Sequence, residues 1–155
     1  MVARHLPAAP STLEQVLLEH ALQQVLTRYA TACDCRAWHL LADVFTPDVQ
    51  AHYGTWHCQG VPEIEAMIRQ HLGGCGPTQH LLGNLEVDAR SPGPVRSVTQ
   101  VRAIHQGAGE RKALRFDAIG HYCDTWVQLP QGWRIQERHM VMTHTVGDFS
   151  VLQPA

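Results

Sequence analysis

A chain of 155 residues is long enough for one domain with a true core and too short for two comfortable ones. Apolar residues make up 45% and charged residues 17%, the balance of a folded globular chain and not of a disordered one. The formal net charge is −2 and basic residues are scattered, with no basic run interleaved with aromatics, so neither nucleic acid nor an anionic membrane surface is an expected partner. Five cysteines at irregular spacing (Cys33, Cys35, Cys58, Cys75 and Cys123) do not make a disulfide framework. Together with the absence of a signal-like apolar stretch at the N-terminus, they point to a reducing, cytoplasmic setting. No window approaches the ~18 apolar residues of a membrane span.

In chain order, residues 1–11 read as a flexible arm broken by Pro7 and Pro10. Ser11 or Thr12 then caps a long helix, with Glu14 or Gln15 in its first turn. Leu18, Leu22, Val25, Leu26, Tyr29 and Cys33 recur at spacings of three and four and share one face of that helix. A short helix is predicted over Trp38 to Phe45 and ended by Pro47, then a strand from Val49 to Tyr53 before Gly54. Pro62 suits the first turn of a third helix running to about Leu72, and the cluster GGCGP at 73–77 stops it. Four long strands follow, at about 78–89, 95–106, 112–129 and 132–145, joined by turn-rich loops at 91–94, 106–110 and 129–132. Such short connections make the strands antiparallel neighbours.

The order is therefore α-α-β-α-β-β-β-β, an α+β layer architecture in one domain over 12–146, with a tail at 147–155. A long helix laid across a curved, mostly antiparallel sheet leaves a conical space, a natural site for a small molecule.

Three stretches then resemble the SnoaL-like members of the NTF2-like superfamily. They are RYATACDCRAWHLLADVFTPDVQAHYG at 28–54, TQHLLGN at 78–84 and GHYCDTWVQLPQGWRIQER at 120–138. The resemblance covers roughly residues 13–145 and implies an NTF2-like cone. The superfamily includes polyketide cyclases, steroid isomerases, epoxide hydrolases, dehydratases and a dehydrochlorinase, so the fold alone does not decide the chemistry. Its dehydratases and dehydrochlorinase use an Asp–His pair, the Asp at the end of the first helix and the His opening the strand after the third. Those places hold Asp34 and His80 here. The Asp–Arg–Asp set of limonene epoxide hydrolases and the sheet carboxylate of ketosteroid isomerases find no convincing positions.

An imidazole titrates at about 6.5, where a base must be poised to take a proton from carbon beside a carbonyl. A carboxylate on its second nitrogen fixes the tautomer and favours the imidazolium that forms. The resemblance also marks Tyr29, Tyr53, His105 and Arg138 as substrate-binding candidates. Tyr29 lies about 140° around the helix from Asp34, on the same wall. Arg138 can pair with a substrate oxygen or with a carboxylate such as Asp124, the latter being the favoured role. Two positions depart from scytalone dehydratase: Cys33 stands where that enzyme has a tyrosine, and its strand asparagine has no counterpart beyond Tyr122 or Cys123. A different substrate follows from this.

The expectation is a cofactor-independent lyase or isomerase, dehydratase-like, acting on a small cyclic or polyketide-, steroid- or terpenoid-like carbonyl compound. A polyketide-type cyclase and a non-catalytic small-molecule-binding protein remain open alternatives. No metal is expected, because no paired ligand spacing exists. Cys33, bordering the pocket wall, is a possible odd thiol. A homodimer or higher homo-oligomer is expected through the outer face of the sheet, with Trp126 and Phe116, or their neighbours, as residues of that face.

Overall fold

The structure, a computed structural model, describes residues 12–89 and 92–153. The arm at 1–11, Ser91 of the expected turn and the last two residues of the tail lie outside the described residues. Helix α1 spans Leu13–Asp34. It opens on a capping box in which the Thr12 hydroxyl accepts from the Gln15 amide and the Gln15 side chain accepts from the Thr12 amide. Its buried stripe is Leu22, Val25, Leu26, Tyr29, Ala32 and Cys33. Helix α2 spans Val61–Leu72 and carries Pro62 in its first turn. It buries Ile64, Met67, Ile68 and Leu72.

The sheet has six strands: β1 (Phe45–Tyr53), β2 (Trp56–Gln59), β3 (Cys75–Asp88), β4 (Val95–Gly107), β5 (Arg115–Leu129) and β6 (Gly132–Gly147). Their spatial order is β2-β1-β6-β5-β4-β3. Every pairing is antiparallel except β1 with β6, which is parallel. The sheet curves around the helices without closing, the α+β, NTF2-like cone expected from the sequence. No helix among the described residues is long and apolar enough to cross a membrane.

Several local readings change. The expected second helix is a 3-10 segment over Trp38–Asp43, and β1 begins at Phe45, so Pro47 lies inside a strand. The β1–β6 register shifts between Phe45 and Gln50, and a proline is tolerated in such an irregular stretch because its missing N–H costs no ladder bond. Strand β2 is an unanticipated element that pairs back on β1 through a tight turn, where Gly54 has φ 61. The segment Cys75–Pro77, read as part of a stop, already belongs to β3. In the tail, Phe149–Leu152 forms a 3-10 turn that buries Val151 and Leu152.

From Ala118 to Trp126 the residues of β5 alternate in burial, while Asp117, ion-paired with Arg102 and Arg115, is buried out of phase. Phe116, Ala118, Tyr122, Asp124 and Trp126 are buried, while Ile119, His121, Cys123 and Thr125 are only partly covered. Trp126 and Phe116 therefore do not lie on the outer face as expected: they are 2% and 3% exposed and belong to the core. The one-residue phase of the strand decides this, since period two sends every second side chain inward. The Trp126 indole N–H donates to the Ser97 hydroxyl at 2.9 Å, which satisfies it in the interior. Exposed apolar side chains on the strands include instead Leu81, Val141 and Val146. At Gly120 the two strands come so close that an added Cβ would lie 2.0 Å from the Val141 carbonyl oxygen.

The interior also holds a charge pair. Arg138, fully buried, donates from Nε and Nη2 to the two Asp124 oxygens, each at 2.7 Å. Its guanidinium carbon lies 4.1 Å from the Tyr122 ring centroid and 4.5 Å from that of Tyr29, both cation–π distances. Burial opposes its charge, but Asp124 holds the Arg138 pKa above its ordinary value. Asp124→Ala would leave that cation buried without its counter-charge and should cost about 3–5 kcal/mol in urea unfolding. A loss below about 1 kcal/mol would mean that the rings alone sustain Arg138.

Candidate functional site

Helix α1 ends at Asp34, and β3 passes that end with Thr78 and His80 on one face, as their two-residue separation dictates. The Asp34 carboxylate collects three donors. His80 Nδ1 lies 2.7 Å from Oδ1, the His80 backbone N–H donates to Oδ2 at 2.8 Å, and the Thr78 hydroxyl donates to Oδ1 at 3.0 Å. Burial alone would raise the Asp34 pKa, but the bonds from His80 and Thr78 more than offset it and hold the carboxyl below its ordinary value. Asp34 is thus an anion that can only accept, so Nδ1 of His80 carries hydrogen and the lone pair of the neutral ring sits on Nε2. The His80 side chain is 6% exposed and that of Asp34 22%.

Around the ring stand Tyr29, edge-on with centroids 6.2 Å apart, and His105, edge-on at 5.9 Å. Tyr29 and Tyr53 share a hydrogen bond, with their hydroxyl oxygens 3.2 Å apart. Burial pushes both tyrosines above the ordinary phenol range, so they stay protonated donors. Two hydroxyls with one bond between them keep one O–H hydrogen to offer elsewhere. His105 Nδ1–H donates to the Phe116 carbonyl at 3.0 Å, and burial pulls its pKa down to about 4.

Of the residues singled out in sequence, the structure thus gathers Asp34, His80, Tyr29, Tyr53 and His105 into one cluster. Arg138 lies beneath the tyrosines and spends Nε and Nη2 on Asp124, while its Nη1 is buried with no hydrogen-bond partner among the described residues. Cys33 is buried and its thiol is pushed up to about 12, chiefly by burial, so it is not a thiolate nucleophile. No disulfide joins any of the five cysteines. The deep open pocket expected beside the dyad is instead packed with side chains: Tyr29 meets Phe45 and Tyr122 edge-on, with centroids 5.9 and 5.7 Å apart. Two open hollows lie elsewhere, one around Leu81 and Arg102 and one around Trp56 and Gln70, and neither is lined by Asp34 or His80.

Sequence reading missed Thr78 and Arg36. Thr78 was within reach, because a residue two before His80 on a strand must share its face. Arg36 had no such signal, since its position depends on a turn with φ 56, which no periodicity reveals.

The His105 environment has a thermodynamic consequence. Its folded pKa of about 4 lies below the unfolded value of 6.5, so the unfolded chain binds the extra proton first as pH falls. Stability should drop between about pH 6.5 and 4 by up to about 3 kcal/mol from this group. The Asp34 contribution has the same sense in a lower window: it is present above the unfolded carboxylate value of 3.8 and is lost as pH falls below it. Urea unfolding across pH 7.5 to 4.5 should therefore show a slope that His105→Gln flattens; an equal slope in both proteins would show that His105 is not held neutral.

Residues 14–139 match the SnoaL-like domain family. An uncharacterised protein of Mycobacterium tuberculosis is 34% identical over 123 residues, covering 76% of this chain and 80% of that protein. Among solved structures, a protein assigned as a scytalone dehydratase from Novosphingobium aromaticivorans superposes with a TM-score of 0.76 at 22% identity, covering 86% of this chain and 89% of that one. A type 3 hexachlorocyclohexane dehydrochlorinase from Novosphingobium barchaimii gives 0.75 at 14% identity, covering 89% and 94%. At such identities the structures speak for the fold, whereas the domain match spans most of the sequence. The chain belongs to the SnoaL-like domain family, on an NTF2-like fold.

Proposed function

We propose that this protein is a cofactor-independent lyase of dehydratase type, with His80 as its acid–base group and Asp34 as the partner that orients it. The observation that carries this reading is the 2.7 Å contact between Asp34 Oδ1 and His80 Nδ1, which leaves Nε2 as the basic atom. The likeness in fold to a dehydratase and a dehydrochlorinase, both named for eliminations, supports it. The substrate class is a small cyclic carbonyl compound of polyketide, steroid or terpenoid kind with a leaving group β to the carbonyl. His80 Nε2 takes the proton from the α-carbon, the C–H electrons form the double bond, and the leaving group departs. When that group is hydroxyl, the imidazolium returns the proton to it as water; when it is halide, the imidazolium passes the proton to solvent, and in both cases His80 ends neutral. Asp34 supplies the counter-charge during the interval in which His80 is charged.

Tyr53, with Tyr29 behind it, offers the spare phenolic hydrogen to the carbonyl oxygen, which gains charge as the α-proton leaves. Because the cone is packed, binding requires some of its side chains to part. A polyketide-type cyclase would share the first proton abstraction and differ only in what the enolate attacks. The chemistry needs no disulfide-forming compartment, consistent with a cytoplasmic protein. The exposed Leu81, Val141 and Val146 on the outer sheet face suit pairing of two copies.

Against a panel of β-hydroxy and β-halo cyclic ketones, the wild type should release water or halide. His80→Ala should lower kcat by about 10²–10⁴, the scale of a general acid–base group. Asp34→Asn should lose activity too, and the double variant should be no worse than the poorer single one, because the two groups act as a unit. Full activity in His80→Ala would move the chemistry elsewhere. Saturable binding of panel members with no turnover by the wild type would identify a binding protein instead.

Light scattering at ~100 µM should report a dimer or larger homo-oligomer, since a specific interface of roughly 1,200–2,000 Å² holds at that concentration. A monomer there removes the pairing proposal.

A further inference from the structure

Arg36 stands two residues beyond Asp34 in a left-handed backbone conformation, φ 56, that a side chain with a Cβ rarely adopts. Its guanidinium folds back beneath the end of α1. Nη1 donates to the Cys33 carbonyl at 2.7 Å and to Thr78 Oγ1 at 2.8 Å. Nη2 donates to the Leu72 carbonyl at 3.2 Å and the Gly76 carbonyl at 3.0 Å. All four terminal hydrogens are thereby engaged, and one side chain joins the end of α1, the end of α2 and the start of β3. These are the elements that bring Asp34 and His80 together.

The Thr78 bond is informative for a stricter reason. A hydroxyl has one hydrogen, and arginine can only donate. With Arg36 bonded to Thr78 Oγ1, the lone pair on that side is occupied and the hydroxyl hydrogen is free to turn to Asp34 Oδ1, 3.0 Å away. The polarity of the chain is thus set from Arg36 through Thr78 to Asp34, where it meets the donor from His80.

We propose that Arg36 and Thr78 are positioning residues for the Asp34–His80 pair: Arg36 aims the Thr78 hydroxyl, and Thr78 keeps Asp34 Oδ1 turned to His80 Nδ1. This rests on the dyad reading above. Neither residue is placed against the reacting atoms; both act through Asp34. The arrangement is more than a clamp on three elements, because a clamp would need only the carbonyls of Cys33, Leu72 and Gly76.

The Nδ1 proton of His80 reads the pair directly, since it exchanges with water only when the bond to Asp34 opens. In the full-length protein labelled with ¹⁵N-histidine, that proton should give a downfield resonance whose exchange rate is measurable at fixed pH. Thr78→Val keeps the shape and removes the hydroxyl, and it should speed exchange by about fivefold, the scale of one hydrogen bond. Thr78→Ser should restore the slow rate. Arg36→Lys, which keeps the charge but not the fork, should also speed exchange, while backbone amides on β5 such as that of Tyr122 stay as protected as in the wild type.

An unchanged Nδ1 rate in Thr78→Val, with the fold intact, overturns the proposal. So does acceleration matched by equal loss of protection on β5, which would mark a role in global stability alone. If Asp34→Asn leaves the rate unaltered, the dyad reading itself fails, and there is no pair to position.

Discussion

The Asp34 carboxylate is where separate parts of the chain are tied together. It is the last residue of α1, yet its three donors come from Thr78 and His80 on β3. A carboxylate in partial burial must be hydrogen-bonded or it will take up a proton. Here the bonds that keep it ionised also fix the angle between helix and strand. Two of them come from the same histidine, through ring and backbone, so the imidazole cannot turn its Nε2 away without first giving up the carboxylate. Fold and site therefore share one set of contacts.

A second buried anion, Asp124, does a different job deeper in the cone. It neutralises Arg138, whose guanidinium lies against Tyr29 and Tyr122. The tyrosine hydroxyls are consequently backed by a fixed cation. Their phenols stay protonated because burial outweighs that cation's pull. What results is a polar lining that donates hydrogen bonds but carries no mobile charge of its own. In a setting of low dielectric, such donors interact with a developing oxyanion more strongly than water-exposed ones would.

The parts of this architecture readable in sequence are those governed by periodicity. The stripe from Leu22 to Cys33 repeats with helical spacing, and the four long strands are punctuated by turn residues. Asp34 was legible as the end of α1 and His80 through the distinctive word TQHLLGN, although β3 begins five residues earlier, at Cys75. What escaped depended on phase or on irregular backbone. Trp126 and Phe116 look equally suited to either face of β5, and only the register of the neighbouring strands sends them inward. Pro47 reads as a stop, but the irregular stretch of β1 accommodates it. Arg36 sits in a left-handed turn that no pattern announces. The packed interior was equally hidden, since sequence shows which side chains point into a cone but not how completely they fill it.

Two histidines 5.9 Å apart show how such a frame separates chemical roles. Each donates Nδ1–H, His80 to a carboxylate and His105 to the Phe116 carbonyl. A carboxylate offers a full counter-charge to an imidazolium, while a carbonyl offers only a dipole. His105, buried and held neutral, can therefore present an acceptor at Nε2 but is a poor place for a proton to rest. On the proposed reading, a proton arriving at this pair meets a full counter-charge behind His80 and only a dipole behind His105. Neither histidine needs a special geometry for this division. The difference lies in what each Nδ1 meets, which is set by the end of α1 in one case and by the β4–β5 pairing in the other.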